Sequence, residues 1–297
     1  MRGYQRRSKT GAIPGKIAAL PSLYDDVMAH YVIGDLHGHL HDYRRLLQDQ
    51  LLCDGADQWI GGTHQLWLIG DFFDRGDKGV ECVELTMQLQ IQARAAGGDV
   101  NAILGNHELM LLCANKFGEQ LTGSGVSAKA MWVRWGGNSA ELARLKPAHI
   151  HWLERLPALQ RVGDILLLHA DAMFYVEHGR TVDAVNQHFF DLTQDTDLSR
   201  WEHMLRDFSE HEGFSALAMT GERRANQILR YFGAQQLVHG HTPISMANGT
   251  PAETVDRAWI YARGQCINVD GGIYLGGPGF VHELDADLSL GGRARLS

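Results

Sequence analysis

The stretch HYVIGDLHGHLHDYRRLLQDQLL, residues 30–52, decides the fold. Its first residues form a short apolar run closed by Gly34, and from His41 onward Tyr43, Leu46, Leu47 and Leu51 recur at helical spacing. A buried-type strand therefore leads into an amphipathic helix. The theme returns downstream, where QLWLIGD (65–71) precedes GVECVELTMQLQIQARAAGG (79–98), whose closing glycines read as a helix end. DVNAILGNHE (99–108), DILLLHAD (164–171) and AQQLVHGHTP (234–243) read as further strands. Helices are expected at 148–157, 181–194 and 222–232, the last stopped by Gly233. Alternating strands and helices predict an α/β protein.

The two ends of the chain read differently. Residues 1–29 carry no sustained periodicity and are expected to form an extension, with one domain over 30–297. WIYARGQCINVDGG and GGPGFVHEL look like two strands joined through glycine-rich turns, a final antiparallel element. Residues 114–147 are the least regular part and a candidate loop over the site.

Composition narrows the function. The 297 residues are 44% hydrophobic and 21% charged, with a formal charge of -8, a field that repels polyanions and argues against nucleic acid as partner. No run approaches the roughly 18 apolar residues of a membrane span. Cys53, Cys82, Cys113 and Cys266 lie far apart in apolar company, as reduced thiols of a cytoplasmic protein do. The 16 histidines and 34 glycines invite a search for metal ligands at tight turns.

That search finds them at the ends of the expected strands, where open α/β sheets place their ligands. Gly34-Asp35-Leu36-His37-Gly38 offers a carboxylate and an imidazole two residues apart, on one side of the chain if it stays extended. Gly70-Asp71-Phe72-Phe73-Asp74-Arg75-Gly76 brings two carboxylates and a guanidinium to one turn. Gly105-Asn106-His107-Glu108 supplies an amide oxygen and an imidazole on adjacent residues, which point different ways and suit different tasks. His169 ends one strand and His241 follows another.

These five segments resemble the calcineurin-like metallophosphoesterases, and GDLHG, GDFFDRG and GNHE look like the phosphoprotein phosphatase branch. The resemblance covers roughly residues 30–284, with specific motifs only at the strand ends. It implies a four-layer αββα sandwich of two mixed β-sheets flanked by helices, in a single domain. It makes Asp35, His37, Asp71, Asn106, His169 and His241 the ligands of two divalent metal ions, with Asp71 shared between them. Mixed oxygen and nitrogen donors suit Mn, taken first here, or Fe or Zn.

The implied reaction is hydrolysis of a phosphomonoester by in-line attack of a hydroxide shared by the ions. Arg75 would clamp the phosphate oxygens, and His107, oriented by Asp74, would protonate the leaving group. A second phosphate-binding arginine is expected between the last two histidine motifs, and Arg206 is taken ahead of Arg200, Arg223, Arg224 and Arg230. The substrate would be a phosphoprotein, at serine, threonine or tyrosine, or a small phosphoester. The alternative is a dinucleoside polyphosphate or other nucleotide. A metal-binding scaffold on the same fold would lack a ligand or the clamping arginine, and neither is missing from the motifs.

Other residues have simpler readings. His39 and His41 are expected on a helix's opening turn as surface or supporting residues, and His239 is expected to point away from the metal held by His241. Glu108 braces its turn. Trp132, Trp135 and Trp152 belong to a core sooner than to a cleft, and Asp270 either supports the site or simply shapes a turn.

Overall fold

The computed structural model describes residues 28–215 and 220–284. The extension expected over 1–29 thus lies, save Met28 and Ala29, outside the described residues. In chain order the elements are β1 (His30–Ile33), α1 (Leu40–Asp49), β2 (Gln65–Leu68), α2 (Gly79–Ala95), β3 (Asp99–Ala102), α3 (Asn106–Phe117), α4 (Ala128–Arg134), α5 (Ser139–Leu142) and α6 (Pro147–Leu153). There follow β4 (Leu159–Val162), β5 (Ile165–Leu168), α7 (Val182–Gln194), α8 (Leu198–Asp207), α9 (Gly221–Phe232), β6 (Gln236–His239), α10 (Ile244–Asn248), β7 (Trp259–Tyr261), β8 (Cys266–Asn268) and β9 (His282–Leu284).

Strand alternation builds the layers. Side chains of successive strand residues point to opposite faces, and the buried residues sort accordingly. Val32, Trp67, Ile69, Ile165, Leu167, Val238 and Ile267 share one apolar cluster. Their strand neighbours Tyr31, Ile33, Leu66, Leu68, Leu166, Leu168 and Leu237 join the other, with Leu85 and Leu89 of α2 and Ile228 and Leu229 of α9. The first cluster takes residues from both sheets and lies between them; the second packs their outer faces against helices. The strands are apolar on both faces because both are covered. This is the four-layer sandwich of two mixed sheets that the resemblance implied.

The first sheet has the order β3-β2-β1-β9 and the second β4-β5-β6-β8-β7. In the first, β1, β2 and β3 run parallel and β9 antiparallel to β1. In the second, β5, β6 and β8 run parallel, with β4 and β7 antiparallel at the edges. Every parallel strand delivers its C-terminal end to one edge of the sandwich. There the backbones nearly touch: a Cβ at Gly34 would overlap the Val269 carbonyl and lie 3.1 Å from Asp270 Cα.

Several expectations need correction. The two tail segments do not pair with each other. WIYARGQCIN is itself a hairpin, β7 and β8, whereas HEL crosses to the first sheet as β9. Residues 114–147 are more regular than expected, since α3 continues to Phe117 and α4 and α5 follow, with turns and coil between them. The expected strand 99–108 ends at Ala102, and Asn106 already opens α3. Short β4 and helix α8 went unread, and the expected helix 148–157 runs from Pro147 to Leu153. Among the described residues no helix is long and apolar enough to cross a membrane. The four cysteines are free and buried.

Gly34→Ala is expected to destabilise the chain by about 1–3 kcal/mol, the range for forcing extra volume into a packed contact. The urea midpoint should fall with the slope unchanged; an unaltered midpoint would show that the sheets can part there.

Candidate functional site

Two loops at the common edge are laced together before any side chain is considered. The amides of Leu36 and His37 both donate to the Asp71 carbonyl, at 3.0 and 2.8 Å, and Gly38 N donates to Phe72 O at 2.8 Å. Phe72 and Phe73 are fully buried, Phe72 edge-on to Trp152, and they pin the turn between Asp71 and Asp74. Glu108 staples the third loop to it, accepting from the amides of Asp71 and Phe72 at 2.7 Å each and of Gly105 at 3.0 Å. Glu108 braces the turn, as read from the sequence.

The turns are tight enough to require left-handed backbone. His37, Asp71, Asp74, Arg75 and His241 have φ of 44°, 52°, 71°, 67° and 68°, an unfavourable region for side chains of this size. The chain at Asp35–His37 is therefore not extended, as was assumed. His37 nevertheless returns to Asp35, with Nε2 3.9 Å from Oδ2 and 3.6 Å from Asp71 Oδ2. Its Nδ1 donates to Phe73 O at 2.9 Å, which leaves the Nε2 lone pair facing the carboxylates.

A second group converges beside it. Asn106 Oδ1 lies 2.9 Å from His169 Nε2 and 3.0 Å from His241 Nδ1, and those nitrogens are 3.2 Å apart. Asp71 Oδ1 is 3.3 Å from His169 Nε2, so Asp71 faces both groups. His169 Nδ1 donates to Ile69 O, and the amide of His241 donates to both oxygens of Asp35. The ligand-type atoms of Asp71, His169 and His241, and of His37, Asp71 and His107, all lie within 4.8 Å of one another. The first sheet supplies Asp35, His37, Asp71 and Asn106, and the second His169 and His241.

The site is buried, and that governs its charges. Burial alone raises the Asp71 carboxyl, but His169, His107 and His37 outweigh it and hold Asp71 well below the ordinary carboxylate range. Burial also works against a proton on His169, yet the Asp71 charge pushes it up to about 10. Burial, reinforced by the neighbouring Asp270 charge, lifts Asp35 well above its usual range. Asp270 is pushed up to about 7 by burial and then by Asp71. Burial and neighbouring positive groups keep His37 and His241 neutral.

This donor set fits divalent cations. Asp270 Oδ2 and His241 Nε2 are buried without a hydrogen-bond partner, and the carboxyl groups of Asp35, Asp71 and Asp270 crowd one buried space. Such an arrangement is unfavourable until positive charge enters it, and carboxylate, amide and imidazole donors suit Mn, Fe or Zn.

His107 turns away from Asn106 and places Nδ1 2.6 Å from Asp74 Oδ2. Arg75 reaches over the first group, with Nη1 2.9 Å from His37 Nε2 and Nη2 3.3 Å from His107 Nε2. Arg206 is not brought to this cluster by any hydrogen bond or ion pair among the described residues. It lines a cleft of about 540 Å³ with Met110, Met131, Trp135, Glu202 and Leu205. His239 turns to the Tyr261 hydroxyl at 2.8 Å, away from the cluster. Trp132 is fully buried, Trp152 donates to Gln90, and Trp135 is exposed.

Two contributors went unread. The Tyr274 ring lies 3.9 Å beneath the Arg75 guanidinium and edge-on to His37. His211 stacks on His241 with ring centroids 4.1 Å apart and reaches Thr242 Oγ1. Neither residue has a spacing or neighbour in the chain that would have singled it out.

Two facing mixed sheets that gather carboxylate, imidazole and amide donors where their parallel strands end define an α/β protein with a two-part metal site. Residues 28–245 match the model of the calcineurin-like phosphoesterases, and the chain belongs to that family. It is 33% identical over 103 residues to "Shewanella-like protein phosphatase 2" of Arabidopsis thaliana, which is 35% of this chain and 26% of that protein. It is 40% identical over 85 residues to the symmetrical bis(5'-nucleosyl)-tetraphosphatase of Erwinia tasmaniensis, 29% of this chain and 26% of that one. The matched stretches thus span about a quarter of each of these relatives. The fold is shared with a cold-active protein-tyrosine phosphatase of a psychrophilic Shewanella sp., at a TM-score of 0.65 and 22% identity over 87% of this chain and 75% of that one.

Because Asp35 is lifted above its usual range and His169 up to about 10, ion binding, which needs their deprotonated forms, is expected to release protons. Binding of Mn²⁺ is expected to tighten from pH 6 to pH 8, and its stabilising effect on Tm to grow with it. Calorimetric titrations in buffers of different ionisation enthalpy will read the released protons. Affinity independent of pH would mean that these groups are not displaced.

Proposed function

We propose that the chain is a metal-dependent phosphomonoesterase, acting on phosphoproteins or small phosphoesters, with two ions held by Asp35, His37, Asp71, Asn106, His169 and His241. The observation that carries this reading is the joint placement of the donor cluster, the His107–Asp74 pair and Arg75 on one edge of the sandwich. When bound, two dications supply an ionised water and offset the charge of the phosphate. Manganese is our first choice, and the four free, buried thiols support a reducing compartment such as the cytoplasm.

The chain's own residues do the rest. Arg75 brings both Nη atoms over the first group, and its guanidinium fork matches two phosphate oxygens. Its stacking on Tyr274 holds the plane of the guanidinium. Asp74 fixes the His107 tautomer with hydrogen on Nδ1, so that a protonated His107 carries its transferable hydrogen on Nε2, on the Arg75 side. As the ester bond breaks, its electron pair stays on the leaving oxygen and that hydrogen moves to it.

The similarity to the symmetrical tetraphosphatases keeps a second reading, hydrolysis of a dinucleoside polyphosphate. Metal-stripped protein assayed with p-nitrophenyl phosphate, bis(p-nitrophenyl) phosphate, a phosphothreonine peptide and diadenosine tetraphosphate, with and without Mn²⁺, separates the two. Mn²⁺-dependent turnover of the monoesters, lost in Asp71→Asn, is the expected result. Cleavage of the tetraphosphate alone would favour the nucleotide reading.

His107→Asn is expected to keep two Mn²⁺ per chain while slowing esters of poor leaving groups by about 10²–10⁴-fold, and nitrophenyl esters far less. Loss of one ion in this variant would instead make His107 a ligand, as its place beside His37 and Asp71 allows.

A further inference from the structure

The segment between α3 and α6 meets the site at two points. Trp132, on α4, is fully buried, and its indole Nε1 donates to both oxygens of Asp74, at 2.9 and 3.0 Å. Past the end of α4, the Gly136 carbonyl accepts from the Arg75 amide at 3.0 Å. Gly136 has a φ of 101°, and a Cβ there would lie 3.1 Å from Arg75 Cγ. Gly137 then packs flat on Trp132, where any Cβ would enter the indole ring. Asp74 and Arg75, both in left-handed backbone, are thus held from one side by one helix and its closing turn.

The Asp74 carboxylate is wholly buried, and a buried charge needs donors. Its side-chain donors among the described residues are His107 Nδ1 and Trp132 Nε1. An indole N–H can only donate, so it fixes the sense of the contact. Nearly equal distances to the two oxygens set the carboxylate plane, since rotation about the Cβ–Cγ bond would lengthen one of them. With the plane set, Oδ2 stays aimed at His107 Nδ1, and the opposite ring nitrogen stays aimed at the Arg75 side.

We propose that Trp132 is a positioning residue for proton donation: its indole N–H orients Asp74, and through Asp74 the His107 ring, so that α4 governs how well poor leaving groups are expelled. The inference rests on the reading of His107 as proton donor given above.

Trp132→Phe keeps a ring in the core and removes the N–H. With Mn²⁺ bound, kcat is measured over aryl phosphates of graded leaving-group acidity and a phosphoserine peptide. The peptide rate is expected to fall about 10- to 100-fold, as when a partner once removed from the reacting group is lost. The nitrophenyl rate should fall by about threefold or less, with KM and metal content unchanged. In the background of His107→Asn the same change should add nothing for the peptide. An equal loss on every ester, or no loss, overturns the proposal.

His107→Asn assayed on the same series separates the two readings. If it shows no dependence on the leaving group, the proton-donor assignment fails. If it does and Trp132→Phe does not, only the role of Trp132 fails. Should the phenylalanine variant not fold, benzothienylalanine at position 132 removes the N–H from a ring of the same shape, and the same outcomes apply.

Discussion

A single buried carboxylate holds the open edge of the sandwich together. Glu108 collects three backbone amides, two from the loop after β2 and one from the loop after β3. Those loops carry Asp71, Asp74 and Arg75 on one side and Asn106 and His107 on the other, so their relative placement follows from this contact. Burial and the nearby Asp71 charge push Glu108 up to about 7. Positive charge entering the donor cluster offsets Asp71 and so favours the ionised, amide-binding form of Glu108. Metal and staple support each other, although no ligand atom of Glu108 is needed.

The same edge concentrates backbone strain. Five residues read as functional from the sequence take left-handed φ, and glycines flank them wherever another chain passes close. Such conformations persist only where the surroundings over-determine them. Here the surroundings are specific: amides given to the Asp71 and Phe72 carbonyls, buried phenylalanines, and the Gly136 carbonyl. Rigid turns let six donors from two sheets converge without mobile segments to order first.

Motif residues were legible because chemistry restricts them: few roles other than ligation bring Asp, His and Asn to five strand ends in one chain. Strands apolar on both faces announced themselves as buried, and the helices at 79–95, 182–194 and 221–232 showed a stop signal or period. What escaped reading depends on long-range contact. Asn106–Phe117 is so apolar that its start merged with β3, because a helix buried all round has no polar face to betray its period. Trp132 looked like core and is core, yet its N–H reaches Asp74 58 residues earlier in the chain. Tyr274 and His211 owe their places to loops whose course no local spacing encodes.

The pairing of β9 with β1 sets His30 opposite Leu284, joining the two ends of the described body in one sheet. A chain emerging from the ribosome can form the parallel trio β1 to β3 early, but that sheet keeps a bare edge until almost the whole body has been made. Closing so long a loop gives up entropy that only the completed sheet returns. Assembly of this fold is therefore gated from its tail, and during synthesis the exposed edge of β1 is the place where a wrong strand could add.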